Sequence, residues 1–146
     1  MSPGCDGLLF HPYFLGERVP HWNPNLRGSF TGLTLDHGKA HFFRAVQEGV
    51  AFSLRDCLSE VDWGGIAEAR ICGGGAKSRL WPKIIADVFG FPVVKMQYND
   101  ASTYGAALLA ISAASGKGLS QIVHTTVRKT EIPHRFLGGG RAGLSC

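Results

Sequence analysis

Residues 70–90 read RICGGGAKSRLWPKIIADVFG. Three consecutive glycines, Gly73, Gly74 and Gly75, separate a short apolar run from an amphipathic one. Ala69 to Cys72 has the character of a strand. From Ser78 onward, Leu80, Trp81, Ile84, Ile85, Val88 and Phe89 recur on one side of a helix. Ser78 suits the N-cap, Pro82 falls in the first turn where few helical bonds are lost, and Gly90 ends the helix. Strong periodic elements on both sides exclude a flexible linker. A phosphate loop needs GxxxxGK[ST], but here Ala76 intervenes between Gly75 and Lys77, and Arg70 stands where the first glycine belongs. A dinucleotide fingerprint, GxGxxG, loses its third glycine to Ser78, and no acidic residue closes a second strand about twenty residues on. Two readings remain open from the residues alone. Either the turn needs positive φ angles, or a ligand lies directly on bare backbone at the start of a helix whose free N–H groups suit phosphate or ribose oxygens.

The surrounding chain supplies partners for this unit. Asp36 to about Val61 carries an amphipathic pattern with Phe42, Ala45, Val46, Gly49, Val50, Ser53, Leu54, Cys57, Leu58 and Val61 on one stripe, Asp36 reading as its cap and Trp63-Gly64-Gly65 as its end. Phe91 to Met96 is a second strand, Asn99 and Asp100 turn the chain, and Ser102 to Ala114 is a helix of small residues suited to close packing. Residues 1–35, rich in Gly, Pro and Asn, read as extended segments and turns. Helix, strand, helix, strand, helix predicts an α/β fold with parallel strands. Two parallel strands are too few for a sheet covered on both faces, so this order reads as part of a larger domain.

The totals narrow the function classes. A chain of 146 residues, 45% hydrophobic and 18% charged, has the size and character of one globular domain. The apolar runs are short and interrupted, so no membrane association is expected, and the N-terminus lacks the basic region of a secretory signal. Cys5, Cys57, Cys72 and Cys146 have no paired spacing, which argues against zinc or a disulfide framework and for a reduced, cytoplasmic setting. Residues 1–116 carry ten Lys/Arg and ten Asp/Glu, whereas residues 117–146 carry five Lys/Arg and one Asp/Glu. The net charge of +4 therefore sits in the tail. With one aromatic and spaced charges, that tail reads as a solvated terminus rather than a nucleic-acid contact.

Three stretches resemble the C-terminal domain of the FGGY carbohydrate kinases, most closely the xylulokinase group. GLLFHPYFLGERVPHWNPNLRGSFTGLTL is similar to that group's LPYLxGERxPHxxPxxRGxFxGL stretch. HFFRAVQEGVAF, with Gly28–Leu33, nearly completes the family's second signature, and GGGAKSRLWPKIIADVFGFPV is followed by YGAALLA as in the family. The resemblance covers residues 4–116, with residues 1–116 as a partial C-terminal domain and 117–146 as a basic tail, truncated or atypical. It implies the actin-like ATPase fold, two RNase H-like domains with nucleotide in the cleft, and transfer of a phosphoryl group from ATP, with Mg²⁺ bridging the phosphates, to a sugar hydroxyl. It also implies that Gly73, Gly74, Gly75 and Ala76 form the adenosine-binding turn, with Gly75 and Ala76 against the nucleoside, and that Lys77, Ser78 and Arg79 open the following helix near the adenine. The helix with Gly105 and Ala106 would pack where the domains hinge.

The resemblance assigns no catalytic residue and no metal ligand to this chain: the family's aspartate base and its phosphate-binding hairpins belong to an N-terminal domain that no stretch here matches. Asp36 reads as a cap, and Asp56 and Asp87 as helix surface. The sugar is expected to be a ketopentose such as xylulose. Gluconate is the alternative, because PHWNPNLRGSF also suits a gluconokinase stretch, APxWNxNxRG. A non-catalytic nucleotide-binding module is the reading from another class, and a homodimer is carried as a candidate assembly. Three positions depart from the family pattern: Gln47 where an apolar residue is expected, His11 in place of Leu, and Pro82 in place of an ordinary helix residue. The Gly16-Glu17-Arg18 turn is read as an internal ion pair fixing a loop, with a role at the substrate cleft as the alternative.

Overall fold

The structure, a computed structural model, describes residues 2–59, 61–62, 66–98 and 100–130. The chain divides into two compact units, Met1–Gly65 and Ile66–Cys146.

The first unit contains a short 3-10 turn at Cys5–Gly7, strands β1 (Leu9–His11) and β2 (Ser29–Thr31), and helix α1 (Lys39–Cys57). β1 and β2 pair antiparallel with Phe10 opposite Phe30. The rings of Phe10 and Phe30 lie 4.7 Å apart, and Phe30 meets Phe42 of α1 edge-on at 5.0 Å. Cys5, Leu8, Phe10 and Ala45 form the buried cluster, with Phe42 packed against it. At Gly49 the helix approaches β1 so closely that a Cβ would collide with the Phe10 carbonyl, which is why glycine sits on this stripe. Glu48, between Gln47 and Gly49, is buried as well, a placement the apolar pattern did not indicate. Its carboxylate pairs with Arg44 Nε at 2.6 Å and accepts from Gly4 N–H at 3.1 and 3.2 Å and from the Cys5 thiol at 3.5 Å. Burial, then the charge of Glu48, pushes the Cys5 thiol up to about 11.

α1 starts three residues later than its sequence pattern suggests, and Asp36 is not its cap. Residues 34–37 form a turn in which Asp36 N–H bonds Thr34 Oγ1, and Gly38 takes the N-cap position. His41 Nδ1 accepts the Gly38 N–H at 3.0 Å, the half of a capping box that the third helical residue supplies, while the His41 N–H makes a backbone turn bond to the Gly38 carbonyl at 2.9 Å. α1 also ends earlier than its pattern suggests, at Cys57 with Leu58 as C-cap and before Val61; Trp63-Gly64-Gly65, read as its end, lie outside the described residues. Asp56 is on the surface of α1, as expected, and pairs with His21 at 2.9 Å.

The second unit is built on β3 (Ala69–Ile71) and β4 (Val93–Lys95), parallel, with Ala69 opposite Val93 and Ile71 opposite Lys95. The crossover between them contains α2 (Trp81–Phe89). Ile84, Ile85 and Val88 of the stripe read from the sequence are buried, its Leu80, Trp81 and Phe89 are half-buried, Pro82 and Ala86 are buried beside it, and Asp87 is exposed. Gly90 closes α2 at φ 77°. Then come α3 (Ala101–Ser115) and α4 (Leu119–Thr126). α4 occupies part of the stretch that charge alone suggested to be a solvated terminus. Leu119, Ile122 and Val123 stand at helical spacing, and Ile122 is buried. The Tyr104 hydroxyl of α3 donates to the Thr126 carbonyl at 3.1 Å, and beyond α4 the chain returns to β4, with Thr130 N–H on the Lys95 carbonyl at 3.1 Å. Lys129 pairs with Glu68 at 2.6 Å, so one tail cation is an internal partner. Among the described residues no helix is long and apolar enough to cross a membrane.

Candidate functional site

Two parallel strands put both of their C-terminal ends at one edge, so the turns after β3 and β4 lie side by side. Ligand crevices in open α/β sheets form at such an edge. Here a cavity of about 430 Å³ opens there, within the range of small-molecule sites. Cys72, Gly73, Gly74 and Lys77 line it from the turn after β3, and Asp100, Ala101 and Ser102 from the start of α3.

The glycines differ in what they do. Gly73 has φ 76° and ψ −161°, a conformation open essentially to glycine alone, so it is required by the turn itself. Gly74 begins a 3-10 turn, Gly74–Lys77, and a Cβ built on it would meet nothing within 4 Å, so its backbone faces open space beside the cavity. Gly75 lies beneath the Trp81 indole, where a Cβ would stand 2.8 Å from Cδ1. Ala76 is buried at 4% exposure. Gly75 and Ala76 therefore pack the turn from behind, and neither lines the cavity.

Ser78 and Arg79 also stand outside the lining. The Ser78 hydroxyl accepts the Leu80 N–H at 3.2 Å and the Trp81 N–H at 3.1 Å. It supplies the capping oxygen expected of it, although α2 itself starts at Trp81 with Leu80 in the N-cap position. Arg79 is exposed beyond the turn, and Lys77 is exposed at the cavity.

On the opposite wall Asp100 caps α3. Its Oδ1 accepts the Thr103 N–H at 3.0 Å and its Oδ2 the Thr103 hydroxyl at 2.8 Å. The Thr103 amide, then its hydroxyl, hold the Asp100 carboxyl below its usual range. The cavity thus offers bare backbone, one ammonium, one carboxylate already engaged by Thr103, and the N-terminal end of a helix. Such a wall suits a neutral, hydroxyl-bearing body with an anionic group at its margin. Sequence reasoning did not include Cys72, Asp100, Ala101 or Ser102. The signal for them was topological: the Asn99-Asp100 turn follows a strand parallel to the one that ends at the glycines.

Residues 1–114 match the C-terminal domain of the FGGY family of carbohydrate kinases. The chain belongs to that family. It is 41% identical to gluconokinase of Bacillus subtilis over 139 residues, covering 90% of this chain and 27% of that protein. It is 40% identical to xylulose kinase of Staphylococcus epidermidis over 126 residues, covering 85% of this chain and 25% of the relative. Among solved structures, ligand-bound xylulose kinase from Lactobacillus acidophilus superposes with a TM-score of 0.78 at 34% identity, over 92% of this chain and 28% of that one. The FGGY chain described here accordingly spans about a quarter of the length of the relatives it matches. Its fold is the α/β, actin-like ATPase fold anticipated from the motifs.

Proposed function

We propose that this chain is the nucleotide-binding, C-terminal part of an ATP-dependent carbohydrate kinase, a phosphotransferase acting on an alcohol group of a sugar. The observation that carries the reading is the cavity in which the side-chain-free backbone of Gly73 and Gly74 faces the start of α3. In this proposal the nucleoside lies along Gly73 and Gly74, with Lys77 at the rim. Gly75 and Ala76 hold the turn from behind, Ser78 fixes the start of α2, and Arg79 is free to reach the base. The described residues do not fit a Mg²⁺ site: among them no cluster of three or more potential ligands occurs, and the carboxylate at the cavity is occupied with Thr103. Mg²⁺ enters this reading only with the ATP phosphates. The cytoplasmic setting is part of the same proposal and rests on the cysteine spacing in the sequence.

The substrate is a ketopentose such as xylulose or, as the relative from Bacillus subtilis suggests, gluconate. A non-catalytic nucleotide-binding module remains the reading from another class.

Gly74→Val tests the site. Its Cβ has open space and its φ is not left-handed, so the substitution fills the cavity mouth without straining the turn. ATP binding followed by calorimetry is expected to weaken about tenfold or more, with an unchanged melting temperature. Gly73→Ala, in contrast, is expected to lower stability by about 1–3 kcal/mol through its φ. Unchanged ATP affinity in Gly74→Val would remove this cavity from the nucleotide site.

A further inference from the structure

The loop Glu17–Asn23 in the first unit is held unusually firmly for a segment with so exposed a tip. At its base Glu17 N–H bonds the Asn23 carbonyl at 2.9 Å. Gly16 lies against Pro24 so closely that a Cβ would stand 2.7 Å from the Pro24 Cα. Inside it the Glu17 carboxylate, 6% exposed, accepts the His21 N–H at 3.0 Å. Two contacts fasten it to the end of α1: His21 to Asp56 at 2.9 Å, and the Cys57 thiol to the Val19 carbonyl at 3.2 Å. The ion pair expected between Glu17 and Arg18 is not formed. Glu17 is held by main chain, and Arg18 points its charge outward, exposed and without a partner among the described residues.

Trp22 shares that tip. It is 74% exposed and has φ +49°, a left-handed conformation rare for a bulky side chain. Ordered surroundings that impose strain while presenting a large aromatic ring to solvent are the pattern of a ligand contact. The chemistry of the tip is specific. An indole face suits the C–H face of a polyol, and a guanidinium with no partner among the described residues suits a carboxylate, which it can grip through two parallel hydrogen bonds. Glu17 is enclosed and Asp56 is paired with His21, so the outward charge of the tip is that of Arg18.

We propose that the Glu17–Asn23 loop is a substrate-reading element in which Trp22 stacks on the carbon chain of the sugar and Arg18 binds a carboxylate, favouring an open-chain sugar acid over a neutral ketose. The inference rests on the sugar-kinase reading for its substrate class and is independent of the nucleotide cavity. It assigns two specificity-determining residues to a turn that the sequence alone left between a structural and a substrate role.

The test uses the indole N–H signals of the full chain, which has three tryptophans. Trp22→Phe and Trp81→Phe assign two of them. Gluconate is expected to shift the Trp22 signal saturably, xylulose to need about tenfold higher concentration for the same shift, and Arg18→Gln to weaken the gluconate response about tenfold. Because Arg18 is exposed and has no partner among the described residues, that variant should keep its other signals in place. ATP, in the same spectra, reports through Trp81 above Gly75. A Trp22 signal indifferent to gluconate while ATP shifts Trp81 would overturn the loop proposal and leave the kinase reading intact. Equal responses to both sugars, or an unaltered response in Arg18→Gln, would overturn the selection for an acid. A gluconate shift at Trp22 with no ATP shift at Trp81 would support the loop and count against the nucleotide cavity alone.

Discussion

Gln47 and Glu48 are neighbours on α1 with opposite standing. Glu48 is buried but engages Arg44, the Gly4 amide and the Cys5 thiol. The Gln47 Oε1 is also buried, and it has no hydrogen-bond partner among the described residues. A buried carbonyl oxygen without a partner carries its desolvation cost uncompensated, whereas a partnered carboxylate becomes costly only when a partner is removed. Gln47→Leu keeps helix propensity and removes the orphan oxygen, so it should stabilise the first unit by about 1 kcal/mol. Glu48→Gln leaves the Arg44 guanidinium facing a neutral group in a nearly closed site and should destabilise by about 3 kcal/mol. Urea unfolding of the two variants separates them by sign. A loss of stability in Gln47→Leu would mean that its oxygen has a partner after all. The sequence had marked Gln47 as a departure from an apolar position, and the orphan oxygen is the physical form of that departure. Glu48 was not legible, because a glutamate at helical spacing looks like surface until a distant amide and thiol close over it.

At the level of the turn and helix, α3 depends on a single capping side chain whose charge state can be varied. The Asp100 carboxyl is held low by the Thr103 amide and hydroxyl. A carboxyl with a depressed folded value contributes stability above its unfolded value and loses it as the pH falls through the folded one. The cap should therefore be intact at neutral pH and through the ordinary carboxylate range, and fail only at more acid pH. Hydrogen exchange at the Thr103 amide reads this locally, which matters because Glu68, held low by Lys129 and then Arg70, adds its own acid sensitivity to any global melt. Thr103→Val should move the loss of protection to higher pH by removing the hydroxyl bond. Asp100→Asn should keep the cap and abolish its acid sensitivity. Protection that falls at the same pH in wild type and Thr103→Val would disprove the role of that hydroxyl.

The elements around this cap were largely readable. Period 3.6 located α1 and α2, the run of small residues located α3, and the short runs before the glycines and before Asp100 located two parallel strands. The boundaries were misjudged where a local bond competed with the helix. The Thr34–His37 turn moves the start of α1 to Lys39, and the 3-10 turn at Gly74–Lys77 moves that of α2 to Trp81. α4 was passed over because its charges were counted before its apolar spacing. The glycine turn was legible as a site, but the division of labour among its glycines was not. That division depends on the φ of Gly73, the open space at Gly74 and the indole over Gly75, which only coordinates contain.

For the molecule as a whole, the question is what this quarter of a kinase length can do by itself. Phosphoryl transfer requires a base at the sugar hydroxyl, a cradle for the phosphates and a positioned metal, all at once. Among the described residues most carboxylates are committed elsewhere or solvated, and Glu17 is enclosed, its Oε2 on the His21 N–H and its Oε1 buried. Asp6 pairs with His41, Asp56 with His21, Glu48 with Arg44 and Glu68 with Lys129, while Asp36 and Asp87 are exposed. Asp100, the carboxylate at the cavity, holds Thr103. The chain is therefore expected to bind ATP without turning it over, giving no sugar-dependent ADP with either xylulose or gluconate. Co-expression with the part of the Bacillus subtilis gluconokinase that lies outside the matched region should restore turnover, provided the two parts associate. Gly74→Val should then suppress the restored rate, because the cavity would be the nucleotide half of the reassembled cleft. Sugar-dependent ADP release from the purified chain alone would show instead that its own carboxylates reach the sugar, and would reassign the base to one of those pairs.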